Sequence, residues 1–419
     1  MDKIIIQGGR KLAGKVRISG AKNSALPMMA AAILTRGTNV FQNIPELVDI
    51  QTMAKLLRGF GAEVVEKKGR LKIKADKIRH AEAPYDLVRK MRASVLVLGP
   101  LLARLGYAKV SLPGGCAIGA RPIDRHLKAF QEMGATIKME GGYVEVSAKK
   151  LRGAKIHFDD VTVTGTENVM MAATLAEGVT ILENAAREPE VTDLADALNK
   201  MGANISGAGS DTITIVGVDE LNGVEHEIIP DRIEAGTFII GAAMTRGEVL
   251  IQGVISEHFS SLTAKLREAG VEITEEDHTV HVVGPKEIKN VDISTHPYPG
   301  FATDFQAQYM AMMCLAGGTT VISENIFENR FMHVGELTRM GADIKLDHNT
   351  AIVTGGKKLL GAPVMATDLR ASASLVLAGL VANDITEIHR VYHLDRGYDG
   401  LEKKFRALGA RVKRAKVKY

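Results

Sequence analysis

The sequence predicts a two-domain α/β protein: six copies of one unit, three to a domain, each organised about a buried central helix. Three observations carry this. An apolar helix end, a glycine, and an Ala or Val opening a strand recur at Phe60-Gly61-Ala62, Met133-Gly134-Ala135, Met201-Gly202-Ala203, Ala269-Gly270-Val271, Met340-Gly341-Ala342 and Leu408-Gly409-Ala410. These glycines stand 73, 68, 68, 71 and 68 residues apart, the signature of a repeat architecture. Between them recurs an alanine-rich stretch, apolar nearly all round, which reads as a helix buried on every side. Finally, 419 residues exceed what one hydrophobic core organises, so two domains are expected.

Taken in order, residues 3–20 hold two strand-like runs ahead of the first copy. The buried helix, a small turn and a short strand fall at 26–41, 94–111, 168–182, 236–251, 306–322 and 371–388. An amphipathic helix follows in each copy. In the third, Val191, Leu194, Leu198 and Met201 keep helical spacing, and glycine is the usual residue just past such a helix. Hairpin alternation comes next, as over 136–146. Each copy thus reads strand, buried helix, strand, amphipathic helix, hairpin. The sixth stops ten residues after Gly409, too soon for its hairpin, and the N-terminal runs are expected to complete that domain. The expected domains are 22–229, and 1–21 with 230–419. Two chain crossings, near 20–22 and near Pro230, would join them as a hinge.

Composition narrows the class. The chain is 46% hydrophobic and 24% charged, as in an ordinary globular protein. The longest apolar run, 93–103, is short and broken by Gly99-Pro100, so no membrane span is expected. The N-terminus has no signal-peptide pattern, and two cysteines make no disulfide framework, which points to the cytoplasm. Of the net charge of +4, residues 401–419 hold +7 and the other 400 hold −3. A basic edge strand at the C-terminus is expected, without the aromatic interleaving of a nucleic-acid site.

Candidate chemistry begins in the loop at 111–124, with three glycines, two prolines and Cys116. Pro122 suits the first turn of a helix whose face carries Ile123, Leu127, Phe130 and Met133, and this places Arg121 beside a partly positive helix start, suited to an anion. A thiol on such a loop reads as chemistry, or as a surface turn around a buried cysteine. Cys314 reads as a core thiol.

Aligning the copies on the turn after the buried helix (Gly37, Gly106, Gly178, Gly247, Gly318 and Asp384) brings Asn23, Arg92, Thr164, Ile233, Asp304 and Arg370 to one position, fourteen residues earlier. Capping explains Asn, Thr or Asp there, but not arginine, which the helix dipole disfavours. The expectation is that several buried-helix starts converge on one cleft and carry its ligand-binding groups. Thirteen residues before Gly134 and Gly409 stand Arg121 and Arg396, both expected at the starts of amphipathic helices in equivalent copies of opposite domains. With Lys22 they form a cation set suited to phosphate and carboxylate, each arginine alone reading equally as a solvated charge. Asp368 and Glu188 read as site groups or as caps. No Walker A, GxGxxG or HExxH pattern occurs.

Gly20-Ala-Lys-Asn-Ser-Ala-Leu-Pro27, Met91-Arg-Ala-Ser94, Pro113-Gly-Gly-Cys-Ala-Ile-Gly-Ala-Arg-Pro122, Glu328-Asn-Arg-Phe-Met-His333, Ala366-Thr-Asp-Leu-Arg-Ala-Ser-Ala373 and Asp395-Arg-Gly-Tyr398 closely resemble the UDP-N-acetylglucosamine 1-carboxyvinyltransferase family of enolpyruvyl transferases. The resemblance spans essentially the whole chain. It implies an inside-out α/β fold of six βαβαββ-type units and a reaction needing no metal or organic cofactor. The enolpyruvyl group of phosphoenolpyruvate would pass to the 3′-hydroxyl of UDP-N-acetylglucosamine, opening peptidoglycan synthesis.

On that resemblance Cys116 is the proton donor and Asp304 accepts the hydroxyl proton. Lys22, Arg121 and Arg396 surround phosphoenolpyruvate, while Asn23, Arg92, Arg330, Asp368 and Arg370 line the cleft. Arg121, Pro122, Ile123, Asp124, Arg125 and Ile326 match nucleotide contacts, with Thr164 in the neighbouring phosphate-side segment. Arg125 stands where some members carry an aliphatic residue. The shikimate-pathway enolpyruvyl transferase is the nearest enzyme alternative, against which the Gly-Gly-Cys loop argues; a non-catalytic UDP-sugar sensor is the other. Brief treatment with a phosphoenolpyruvate-like epoxide such as fosfomycin is expected to label Cys116 alone, because a flexible loop near cations favours a thiolate. Peptide mapping that finds the adduct on Cys314 would refute this.

Overall fold

A computed structural model describes residues 2–112, 119 and 123–416. The chain divides into two compact units, one formed mainly by Met1–Ser19 with Pro230–Tyr419, the other by Gly20–Gly115 with Ala120–Ile229. Each has its own apolar core and three four-stranded sheets of one plan. A short strand lies parallel to a central strand, which pairs antiparallel with the second strand of a hairpin. In the third copy Lys155–His157 lies beside Val179–Glu183, then come Thr212–Val216 and the edge strand Asn204–Ser206. Alternating burial, as along Thr212–Val216, turns one face of each sheet to the core.

Three sheets are completed from distant sequence. In the sixth copy the hairpin is split: Arg411–Lys416 is its first strand, and Asp2–Gln7 takes the place of its second, paired from Asp2↔Lys416 to Gln7↔Arg411. Ala13–Arg17 lies parallel to Glu248–Gln252 as the first strand of the fourth copy. Glu225–Glu227, after the third copy, supplies the first strand of the first, parallel to Thr38–Gln42. In the remaining copies the parallel strand precedes the buried helix of its own copy, as with Lys155–His157 and Val179–Glu183, because parallel partners need a crossover rather than a tight turn.

Three buried helices pack together in each unit. Thr303–Met313 packs against both Leu369–Val381 and Arg232–Met244, and every residue of the last is buried. Leu98–Leu105 packs against Val163–Ala173, and Lys22–Ala31 also contacts the latter. The second copy opens instead with a 3₁₀ segment, Arg92–Val97. Pro100 accounts for this: its ring disfavours helix just before it, so the α-helix starts at Leu98 and keeps the proline in its first turn. Among the described residues no helix is long and apolar enough to cross a membrane.

The glycine pattern has a backbone cause. Gly61, Gly134, Gly202, Gly270, Gly341 and Gly409 all have φ between 91° and 108°, the left-handed conformation that ends a helix without a Cβ clash. After the buried helices Gly37, Gly106, Gly178, Gly318 and Asp384 are likewise left-handed, while in the fourth copy this moves one residue back to Arg246.

Gly134 and Gly99 separate two uses of the residue. A Cβ at Gly134 (φ +91°) meets nothing within 4 Å, whereas one at Gly99 would lie 2.2 Å from the Asn168 carbonyl oxygen. Gly134→Ala is expected to cost roughly 1–2 kcal/mol, the left-handed penalty alone. Gly99→Ala is expected to cost about 3 kcal/mol or more, because backbone must move in a packed core. Urea unfolding of the two variants checks the order.

Candidate active site

Polar groups gather where the buried helices begin. The aligned residue is the second of its helix at Asn23, Thr164, Ile233, Asp304 and Arg370, and Arg92 opens the 3₁₀ segment. A helix buried all round can expose polar side chains to solvent only at its ends, and the first-turn N–H groups there need acceptors.

In the unit containing 230–419, Asp304 is the centre. Its Oδ1 accepts from Arg330 Nη2 at 2.8 Å, and its Oδ2 accepts from Arg370 Nε at 3.0 Å and Nη2 at 2.7 Å. Both arginine side chains are 4% exposed, against 25% for the aspartate, so the carboxylate is the accessible member. Burial disfavours the Arg370 charge, but the Asp304 carboxylate outweighs it and raises the guanidinium pKa. The Asp368 side chain caps the helix, accepting from the Arg370 and Ala371 N–H groups at 2.8 and 3.1 Å, so the cap reading holds for it. It also supplies the negative charge that offsets an arginine at the disfavoured helix end.

Residues not singled out from sequence support this cluster. Arg370 stacks over the Tyr398 ring at 5.4 Å. The Tyr398 hydroxyl lies 2.9 Å from Thr237 Oγ1 and accepts from Gln308 Nε2 at 3.2 Å. Buried Glu324 accepts from Thr303 Oγ1 at 2.9 Å and from the Ile326 N–H at 2.9 Å, tying the half-buried Ile326 to the start of the Asp304 helix. His333 is fully buried, and burial lowers its pKa to about 4. Tyr398 and His333 lie inside motifs quoted above; Glu324 carried no local signal.

Arg396 departs from expectation. It ends the 3₁₀ segment Val391–Arg396 rather than opening the helix, which begins at Leu401. Gly397 and Gly400 intervene, the latter left-handed at φ 59°, so the amphipathic helix is shortened at its start. Arg396 still borders His393, whose pKa falls through burial and then through the Arg396 charge.

In the unit 20–229, Lys22 opens the helix Lys22–Ala31, and its Nζ lies 3.6 Å from Oδ2 of buried Asp49. Asn23 beside it is exposed, and Pro27 withdraws the N–H that the Asn23 carbonyl would otherwise accept. Arg92, Thr164 and Arg125 meet around His126, which is 2% exposed. Burial, then the Arg92 and Arg125 charges, push that imidazole down to about 3. Asn168 Nδ2 donates to His126 Nδ1 at 3.0 Å, leaving the ring hydrogen on Nε2, 3.5 Å from Thr164 Oγ1. Arg125 pairs with Asp160. Ile123 is buried, and exposed Asp124 opens the helix Asp124–Glu132. Glu188 forms no side-chain cap on its helix. With Glu190 it raises the pKa of buried Glu167, though burial is the larger cause. Cys116, Arg121 and Pro122 lie outside the described residues. Cys314 is buried, its thiol pushed up to about 12 by burial.

The family model for EPSP synthase (3-phosphoshikimate 1-carboxyvinyltransferase) matches residues 6–405. The enolpyruvyl transferase NikO from Streptomyces tendae superposes with a TM-score of 0.90 at 26% identity, covering 99% of this chain and 98% of that one. EPSP synthase from Acinetobacter baumannii shares the fold, with a TM-score of 0.80 at 20% identity. The chain belongs to the enolpyruvyl transferase family. Within it, proteins named UDP-N-acetylglucosamine 1-carboxyvinyltransferase match along their full length: 62% identical in Geobacter metallireducens, over 99% of this chain and 100% of that protein, and 58% identical in Myxococcus xanthus, over 100% of both. The chain is an enzyme of this family.

The two buried histidines set a pH dependence. With folded values of about 3 and about 4 against 6.5 unperturbed, the unfolded chain binds protons that the folded chain refuses. Their stabilisation is therefore full above pH 6.5 and lost as pH falls toward 4. For His333 the loss is on the order of 3 kcal/mol at 1.36 kcal/mol per unit. His333→Gln is expected to flatten the fall in urea-unfolding free energy between pH 7 and 5; an unchanged slope would refute the assignment.

Proposed function

We propose that this enzyme transfers the enolpyruvyl group of phosphoenolpyruvate to the 3′-hydroxyl of UDP-N-acetylglucosamine with release of phosphate, the first committed step of peptidoglycan synthesis. The observation that carries the reading is the full-length identity of about 60% to enzymes of that name, beside a carboxylate held by two buried arginines. The proposed substrates are these two small molecules, with neither nucleic acid nor membrane as partner, and the proposed compartment is the cytoplasm.

The chemistry needs an acid, a base and stabilisation of moving charge. The sugar oxygen attacks C2 of the enol while its proton passes to the Asp304 carboxylate, and C3 takes a proton from the Cys116 thiol. Elimination then removes a proton from C3 and breaks the bond from C2 to the phosphate oxygen. The enolpyruvyl ether and inorganic phosphate remain. Lys22, Arg121 and Arg396 stabilise charge gathering on the leaving phosphate. Asn23, Arg330, Asp368 and Arg370 orient the reactants. Arg92, Thr164 and the segment 121–125 hold the nucleotide together with Ile326.

Arg330 and Arg370 give Asp304 a fixed orientation, so its accessible carboxylate needs little reorganisation to meet a hydroxyl. Phosphate release is expected with phosphoenolpyruvate and UDP-N-acetylglucosamine. Release only with shikimate 3-phosphate would favour the other family activity; UDP-sugar binding without release would favour a sensor. Asp304→Asn is expected to lower turnover by about 10²–10⁴, the usual contribution of a general base. Its affinity for the sugar nucleotide should stay within about tenfold, 1.4 kcal/mol. Near-normal turnover in this variant would remove Asp304 from the base role.

A further inference from the structure

Asp193 lies on the amphipathic helix Pro189–Lys200 of the third copy, 5% exposed. Its carboxylate accepts three hydrogen bonds. Oδ1 takes His226 Nε2 at 2.7 Å; Oδ2 takes the Ser24 hydroxyl and the Ile229 N–H, the latter at 3.3 Å. The Ile229 carbonyl in turn accepts from the Ala21 N–H at 2.7 Å. Ala21 is the residue before the helix Lys22–Ala31, and Ser24 is its third residue. One buried carboxylate thus anchors the chain on both sides of Lys22 and Asn23, directly at Ser24 and through Ile229 at Ala21.

The remaining partners make the anchor directional. His226 sits on the strand Glu225–Glu227 and is itself 5% exposed. Lys200 Nζ lies 3.2 Å from His226 Nδ1. An ammonium can only donate, so Nδ1 accepts and the ring hydrogen stands on Nε2, facing Asp193. All three bonds at Asp193 therefore come from donors, which suits a carboxylate and not an amide. From the other side Asp49 reaches the Lys22 ammonium. Neither Asp193 nor His226 belongs to the cluster described above.

We propose that the Asp193–His226 pair is a positioning device for Lys22 and Asn23, holding the first turn of the Lys22–Ala31 helix so that the Lys22 ammonium meets the phosphate of the substrate. This rests on the role given to Lys22 under the proposed function. In a packed site a small displacement of one charged group lowers the rate without removing the group.

The test measures kcat, both KM values and the melting temperature for Ser24→Ala, Ser24→Thr and Asp193→Asn, alone and combined with Lys22→Arg. Asp193→Asn is expected to raise KM for phosphoenolpyruvate about fivefold or more, or to lower kcat about tenfold, with KM for the sugar nucleotide within about twofold. Ser24→Ala should move the same parameters less, and Ser24→Thr, which keeps the hydroxyl, should restore them. In the Lys22→Arg background most of the effect should vanish, since the group being positioned has been replaced. Equal changes in both KM values, or full additivity with Lys22→Arg, would overturn the proposal while leaving the Lys22 assignment intact. Unaltered phosphoenolpyruvate kinetics in Lys22→Arg itself would overturn that assignment, and the proposal with it. Should Asp193→Asn fail to fold, the Ser24 pair decides alone.

Discussion

A helix buried on every side can place polar chemistry only at its two ends, and this constraint runs through both units. Along Arg232–Met244 every residue is buried and Thr237 is fully so, so its hydroxyl must find partners inside, which it does at Ile233 O and the Tyr398 hydroxyl. At the helix starts the unsatisfied N–H groups favour acceptors and negative charge. Asp304 and Asp368 use that preference. Arg370 opposes it, and the two aspartates compensate. At the far end, Arg104 donates to the carbonyls of Ile33 and Thr35, where cations are favoured.

The cost of this arrangement is electrostatic. Two arginine side chains that are 4% exposed have given up most of their hydration, and a buried ion pair recovers that loss only with good geometry and further hydrogen bonds. Asp304 provides both, taking three guanidinium N–H donors on two oxygens. An apolar cluster of the same size would serve stability as well. The retained charges are therefore better explained by the role proposed for Asp304 than by stability. Asp193 is also a buried carboxylate satisfied by donors, and such a group holds its neighbours more rigidly than an apolar side chain would.

Much of the fold was legible because its rules are local. Left-handed glycines ending amphipathic helices, apolar stretches of helical length and small turns all act within a few residues, so six copies and their order could be read directly. The same register brought Asn23, Arg92, Thr164, Asp304 and Arg370 to helix starts, because position within a repeat survives even where sequence does not. Arg396 was misplaced for the converse reason. Two glycines, at 397 and 400, shorten the helix in that copy alone, and counting back from Gly409 could not detect it.

By itself the sequence determined the repeat, the buried helices and the residues standing at their first turns, since each depends on backbone conformation and apolar spacing within one copy. Only the tertiary structure decided which strands close the sheets, pairing Asp2 with Lys416 and Glu225 with Val40. It likewise decided which buried groups hold the site residues. Asp193 meets Ser24 across 169 positions of sequence, and Arg370 meets Asp304 across 66. Such contacts leave no periodicity to read: loop closure brings distant residues together whenever burial repays its entropy, and that cost grows only slowly with separation.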